Sequence, residues 1–277
     1  MAFLHPSKLP SFRNKFIPHS FNYQDTIKPF NGIEVSIPVL IYNNIFSYLH
    51  YGFIPDQPLN TILLVCLSYF SYGRDRYKDS YEYLLNPTNS SKIELYDVIN
   101  NNRPLFFSSH SITLFIILSI LLSSSYFLPF ILCLYSTEFY KDIKSNFGCL
   151  KPFYVSFLWT ILSVILPSVI YEHNYNIISY PLDYLPVFFS IFGSTNLADI
   201  KDIHEDQSNN ITTFASFIGP DYTYFISFLS LILTSYIVPM NPHFNERPLT
   251  NYLFEIQTIA TTIPIILSYF NFSNPIL

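Results

Sequence analysis

Charge is what this 277-residue sequence has least of: 12% of its residues are Asp, Glu, Lys or Arg, against about 25% in a soluble domain. With a net charge of −5 and no stretch dense in lysine and arginine, the chain lacks the electrostatic footprint of a nucleic-acid binder. Nucleic acid is excluded as a partner. Cysteine is also scarce: Cys66, Cys133 and Cys149 are scattered without metal-ligand spacing and are expected to be reduced, buried small hydrophobes. No secretory signal is expected, because the first apolar stretch begins near Ile33, after a polar arm. No strand pattern, heptad seam or internal repeat is present. Tryptophan occurs once, at Trp159, where packing is the expected role.

The missing charge is missing in blocks. Charge-free windows run from Val35 to Pro55, Gln57 to Gly73, Pro104 to Thr137, Pro152 to Tyr171, Tyr184 to Ala198, Tyr222 to Asn245 and Ile256 to Leu277. A bilayer core of about 30 Å takes about 17–25 helical residues. The window from Pro104 is too long for one span and divides near Ser123-Ser-Ser125 and Pro129. The expectation is an all-α, polytopic membrane protein with about eight spans around a central cavity. A polar arm over residues 1–30 precedes a single transmembrane domain over 31–277. Of the 14 lysines and arginines, thirteen fall on the arm and the loops after spans two, four and six, and only Arg247 lies opposite. By the positive-inside rule this predicts a cytoplasmic N-terminus.

That orientation places two acidic groups on the same, cytoplasmic-side face. Asp75 and Asp79 stand i, i+4 at the end of span two, if its helix continues beyond Tyr72. Asp199, Asp202 and Asp206 follow span six. On one helix these three would stand at i, i+3 and i+7 and share a face. Clustered carboxylates repel unless a cation sits among them. Oxygen-only ligands favour Mg²⁺ or Ca²⁺, and Mg²⁺ commonly leaves positions for phosphate oxygens. Arg74, Arg76, Lys78 and Lys201 lie within the clusters, with Lys141 and Lys144 on the same side. Carboxylates, metal and ammonium groups together suit a diphosphate leaving group. A site that opens into a bilayer suggests an isoprenoid diphosphate, whose allylic cation aromatic faces can stabilise. The plainer alternative is that helix-end acids are solvated loop charges. His204 reads as a solvated loop residue, and Tyr135 and Tyr140 suit an interfacial belt as well as a diphosphate contact.

These residues resemble the UbiA superfamily of intramembrane prenyltransferases, helical proteins usually with nine spans. Asp199-Ile-Lys-Asp-Ile-His-Glu-Asp206 is similar to the family's second acidic motif, and Thr213 fills the threonine position after it. Asn102-Arg-Pro-Leu105 matches the opening of the third span, and Tyr135-Ser136 with Lys141 and Lys144 resembles the end of the fourth. Lys28-Pro29 stands where the family often has Arg-Pro. The resemblance covers about residues 28 to 220, and its second motif is the specific part. It implies that Asp75, Asp79, Asp199, Asp202 and Asp206 hold Mg²⁺ and are catalytic. Arg103, Lys141, Lys144, Lys201, Tyr135 and Tyr140 would contact the diphosphate. The prenyl group would pass to a hydrophobic or aromatic acceptor.

The chain departs from the family pattern in three places. The Asn-Asp that opens the first motif falls on Ser71 and Tyr72. Asn210 and Phe214-Ala215 replace the glycine and Leu-Pro after the second motif. Two spans, not three, follow that motif. A changed first motif also fits a branch in which the cation is captured internally, giving a terpene cyclase. A transporter or non-catalytic membrane protein remains the third alternative. Its mark would be ionisable groups at mid-membrane depth, and the ones present, His50, His110 and Asp183, all lie near expected span ends.

Overall fold

A backbone in lipid must satisfy its own N–H and C=O groups, which an apolar segment does most simply as a helix. The computed structural model describes residues 33–51, 58–85, 93–122, 127–171, 181–200, 202–208 and 211–244. The polar arm and the last expected span lie outside them. Among the described residues all regular structure is helical and no strand occurs.

After a 3₁₀ turn at Ile33–Val35, α1 covers Ser36–Tyr51 and α2 covers Pro58–Leu85. A short α3, Ile93–Asn101, leads into α4, Arg103–Leu121. Then come α5, Phe127–Glu138, and α6, Tyr140–Asn146. A 3₁₀ turn at Gly148–Leu150 opens α7, Lys151–Thr160. A π-helical turn, Ile161–Ile165, joins α7 to α8, Leu166–Tyr171. The chain continues through a 3₁₀ turn at Pro181–Tyr184 into α9, Leu185–Ile200. Two short helices follow, α10 at Ile203–Ser208 and α11 at Phe214–Ile218. The last described helix is α12, Pro220–Met240.

Helices occupy seven of the eight expected apolar segments. Three stretches, Arg103–Leu121, Gly148–Ser168 and Pro220–Met240, are long and apolar enough to cross a membrane. A helical membrane protein rests on those three; a count of eight goes beyond them. Two expectations about α2 fare differently. The helix does continue through Asp79, as one rod of 28 residues, about 42 Å at 1.5 Å per residue. The sequence from Ser80 to Asn102, polar and rich in asparagine, reads as a long loop, but its described residues are largely helix. The helix Ile93–Asn101 packs Tyr96 and Ile99 inward, an i, i+3 apolar pair too short to stand out in the sequence.

In lipid there is little hydrophobic drive between helices, so small residues set how closely they pack. The most extensive contact in the bundle, α9 on α12, follows that rule. α9 carries buried Ser190 and Gly193, and α12 carries buried Thr223, Ser227, Ser230 and Thr234. A Cβ added at Gly193 would sit 3.0 Å from the Ser227 carbonyl oxygen. Thr234 also donates to the Pro186 carbonyl at 3.2 Å. A leucine cluster, with Leu63 and Leu67 on α2, Ile117 and Leu121 on α4 and Leu158 and Leu162 beside the π turn, fills the centre. The π turn is held from α1, where Asn43 donates to the Ser163 carbonyl at 3.0 Å. Widened turns leave carbonyls in need of such donors.

At one end of the bundle, buried Asp183 accepts from Asn241 at 2.9 Å and lies 3.1 Å from His243 Nδ1 and 3.3 Å from His50 Nε2. It joins the end of α1, the start of α9 and the turn after α12. Asp199 ends α9 at the other end. There Gly148 packs against the 211–213 segment so closely that a Cβ would lie 2.4 Å from the Thr212 carbonyl oxygen. Gly148→Ala must therefore push backbone apart, at a cost of about 1–3 kcal/mol. A drop in the thermal midpoint would show this, and an unchanged midpoint would overturn the close contact.

Candidate functional site

The site is built from helix ends. Asp75 and Asp79 lie on the polar half of α2, Tyr140 and Lys144 on α6, Lys151 opens α7, Asp199 closes α9 and Asp206 lies on α10. Lys151 donates to Asp199 through Oδ1, a bond between two side chains that are 6% and 2% exposed. Lys144 Nζ lies 3.0 Å from Oδ1 of Asp206, which is also 2% exposed. Tyr140 lines a cavity with Asp75 and is acted on electrostatically by Asp75, Asp79 and Asp199, so acids from both groups lie within charge range of it. Burial first, then Asp75, pushes the Tyr140 hydroxyl well above its ordinary value; Asp199 and Asp79 add to this and Lys144 opposes it. It is a hydrogen-bond donor at neutral pH.

Electrostatics within the cluster are finely opposed. Burial raises the Asp199 carboxyl above its ordinary value, Lys151 pulls it down, and Asp206 adds to the rise. Burial and the Lys151 ammonium work to lower Lys144, and Asp206 more than offsets them, so Lys144 stays above its ordinary value. Arg76 adds a third cation on α2, 4.0 Å from Asp79 and in the field of Asp75.

A cavity of about 160 Å³ adjoins the cluster. Its lining divides by chemistry into Ser71, Tyr72, Asp75, Thr137 and Tyr140 on one hand and Val155, Leu158, Trp159 and Leu162 on the other. Asp75 and Tyr140 belong to both cavity and cluster. The volume is below the 300–1,000 Å³ of an ordinary ligand pocket, so it accommodates part of an elongated molecule. Trp159, expected only to pack, lines this cavity.

The expected site residues are treated unequally. Asp75, Asp79, Tyr140, Lys144, Asp199 and Asp206 come together. Asp202 does not share one helical face with Asp199 and Asp206: α9 ends at Ile200, and Asp202 sits in the turn before α10, half-buried. Its N–H bonds the Asp199 carbonyl at 3.1 Å, a three-residue turn. Extra acids at a helix C-terminus oppose the helix dipole, which favours ending the helix there. Tyr135 points outward, 60% exposed and edge-on to Phe139. Arg103 turns to Asn100 Oδ1, at 3.0 and 3.2 Å, and to the Tyr81 ring. Neither Tyr135 nor Arg103 is drawn into the cluster. Lys201 lies outside the described residues, as does the side chain of Lys141. Arg74 and Lys78, which looked like cluster cations, instead clasp Glu138 at 3.0 and 2.6 Å. Burial opposes charge on Glu138, but these two cations hold its carboxyl below the ordinary range.

Lys151 was missed by motif reasoning, although it is the one charge in the first turn of a long apolar helix, and such a charge needs a partner. Asn196, fully buried one turn before Asp199, was missed as well. Its Oδ1, with Oδ2 of Asp199 and Oδ2 of Asp206, is buried without a hydrogen-bond partner. Each such oxygen costs about 1–3 kcal/mol. All three are oxygens, the donor type that hard cations take. Among the described residues no three His, Cys, Asp or Glu side chains enclose a metal position. Mg²⁺ requires no such enclosure, since it keeps several waters and is held by one or two carboxylates plus substrate phosphates. The residues present fit that ion. Comparison with protein families, curated proteins and solved structures returns no match to this chain.

Proposed function

We propose that this chain is a Mg²⁺-dependent intramembrane prenyltransferase, in line with its resemblance to the UbiA superfamily. The observation that carries the proposal is the meeting of α2 and α9–α10 acids with two lysines and Tyr140 beside a cavity that is apolar along one wall. Lys144 and Lys151 are placed to hold diphosphate oxygens, and Tyr140 to donate a hydrogen bond to one. Asp75, Asp79, Asp199, Asp202 and Asp206 would hold the metal, which when bound neutralises charge developing on the leaving diphosphate. The cavity takes the first part of the prenyl chain, and Tyr72 and Trp159 supply aromatic faces beside the allylic cation. An electron-rich acceptor, an aromatic ring or lipid-like alcohol, then takes the prenyl group. Eight spans with the acidic face toward the cytoplasm complete this proposal.

Tyr72 in the cavity wall, in place of an expected acid, favours one second reading: ionisation followed by cyclisation within the cavity. Ten- to twenty-carbon prenyl diphosphates supplied with Mg²⁺, with and without phenolic acceptors, separate the two. The transferase is expected to release diphosphate only when acceptor is present. A cyclic hydrocarbon formed without acceptor would establish the cyclase instead, and no turnover under any condition would remove both.

A further inference from the structure

We propose that Lys151 and Lys144 are exchangeable internal counter-ions, so that divalent cation and diphosphate bind with strong positive coupling and the cation alone binds weakly. This rests on the metal–diphosphate reading of the site. In the structure each buried carboxylate is half-used. Asp199 gives one oxygen to Lys151 and leaves the other without a partner; Asp206 does the same with Lys144. A buried ion pair kept for stability needs its remaining lone pairs satisfied, and these two are not. They suit exchange better than permanence.

The charge arithmetic points the same way. The two lysines and two aspartates cancel formally. A dication entering alone meets two ammoniums at the carboxylates it needs. A diphosphate entering alone meets Asp75, Asp199 and Asp206, together with Asp79, which has Arg76 4.0 Å away. At short range and reduced dielectric both encounters are unfavourable. When both ligands enter, each ammonium can pass from carboxylate to phosphate oxygen and leave the carboxylate for the metal. Lysine is suited to that move, being a point charge on a flexible four-carbon stem. Lys144 is 27% exposed along its side chain and has room to swing. Reciprocity then requires the metal to tighten diphosphate by the same factor as diphosphate tightens the metal.

The test is calorimetric titration of the full chain in detergent with Mg²⁺ alone, inorganic diphosphate alone, and each with the other present, after subtracting their association in solution. Lys151→Gln is expected to bind Mg²⁺ alone about tenfold more tightly than the unaltered protein, within the usual range of such couplings. It should also bind diphosphate more weakly and lose coupling between the two. If Lys151→Gln does not stay folded and monodisperse, the half-buried Lys144→Gln decides by the same criteria. Equal Mg²⁺ affinity in the unaltered and lysine-substituted proteins overturns the counter-ion proposal and leaves the metal site standing. Absence of both Mg²⁺ and diphosphate binding in every protein overturns the site as well.

Discussion

Asp199→Asn is expected to destabilise the protein by about 3–5 kcal/mol, because it strands the Lys151 ammonium in a buried position without its counter-charge. Lys151 is 6% exposed and stands at the head of a helix with the length and apolarity of a membrane span, so water cannot readily replace the lost carboxylate. Replacing the pair together, with Lys151→Met and Asp199→Leu, removes the stranded charge and should recover most of the loss. Double replacement of buried ion pairs by apolar groups is often neutral or better. Thermal unfolding in detergent of the two single variants and the double variant measures the coupling. Additive effects would mean the two side chains do not form a buried pair. The double variant should nonetheless be inactive, which separates what the pair does for the fold from what it does for the site.

Asp206→Asn is expected to cut Mg²⁺-dependent diphosphate release by at least about a hundredfold, the usual effect of removing one group that stabilises developing charge. Its stability cost should be smaller than that of Asp199→Asn, since the partner, Lys144, is 27% exposed and can turn to water. Asp206 therefore gives the cleaner activity readout. Tyr135→Phe serves as the contrast: Tyr135 faces outward at 60% exposure, and its hydroxyl should not matter. Product release measured for both variants beside their thermal midpoints checks the pair of expectations. Activity retained in Asp206→Asn, with the fold intact, would remove this aspartate from the metal site.

Much of the bundle was legible because lipid leaves a chain few choices. Charge-free runs became helices, and α2 ran on through Asp79 as the spacing of its acids required. The one-sided distribution of lysine and arginine is the sequence feature behind the expectation that the two acidic groups share a face. What the sequence hid was short-range and three-dimensional. A motif spaced i, i+3, i+7 looked like one helical face, yet the helix ends inside it, between Ile200 and Ile203. Arg103 sat in a fitting motif, but Asn100, three residues away at the end of the preceding helix, was a nearer partner than any diphosphate. Lys151 carried no motif at all. Only the partner 48 residues later makes its burial intelligible.

That separation bears on how the protein is made. The Lys151 helix emerges from the ribosome before α9 does. Until α9 follows it, the ammonium has no carboxylate to meet, and a bare charge at the bilayer centre costs at least about 2.5–3.5 kcal/mol. Lying in the first turn of α7, Lys151 can wait at the headgroup level, stem in the lipid and charge in water. It would sink to its buried position only when α9 delivers Asp199. A chain truncated before residue 199 would leave Lys151 without this carboxylate.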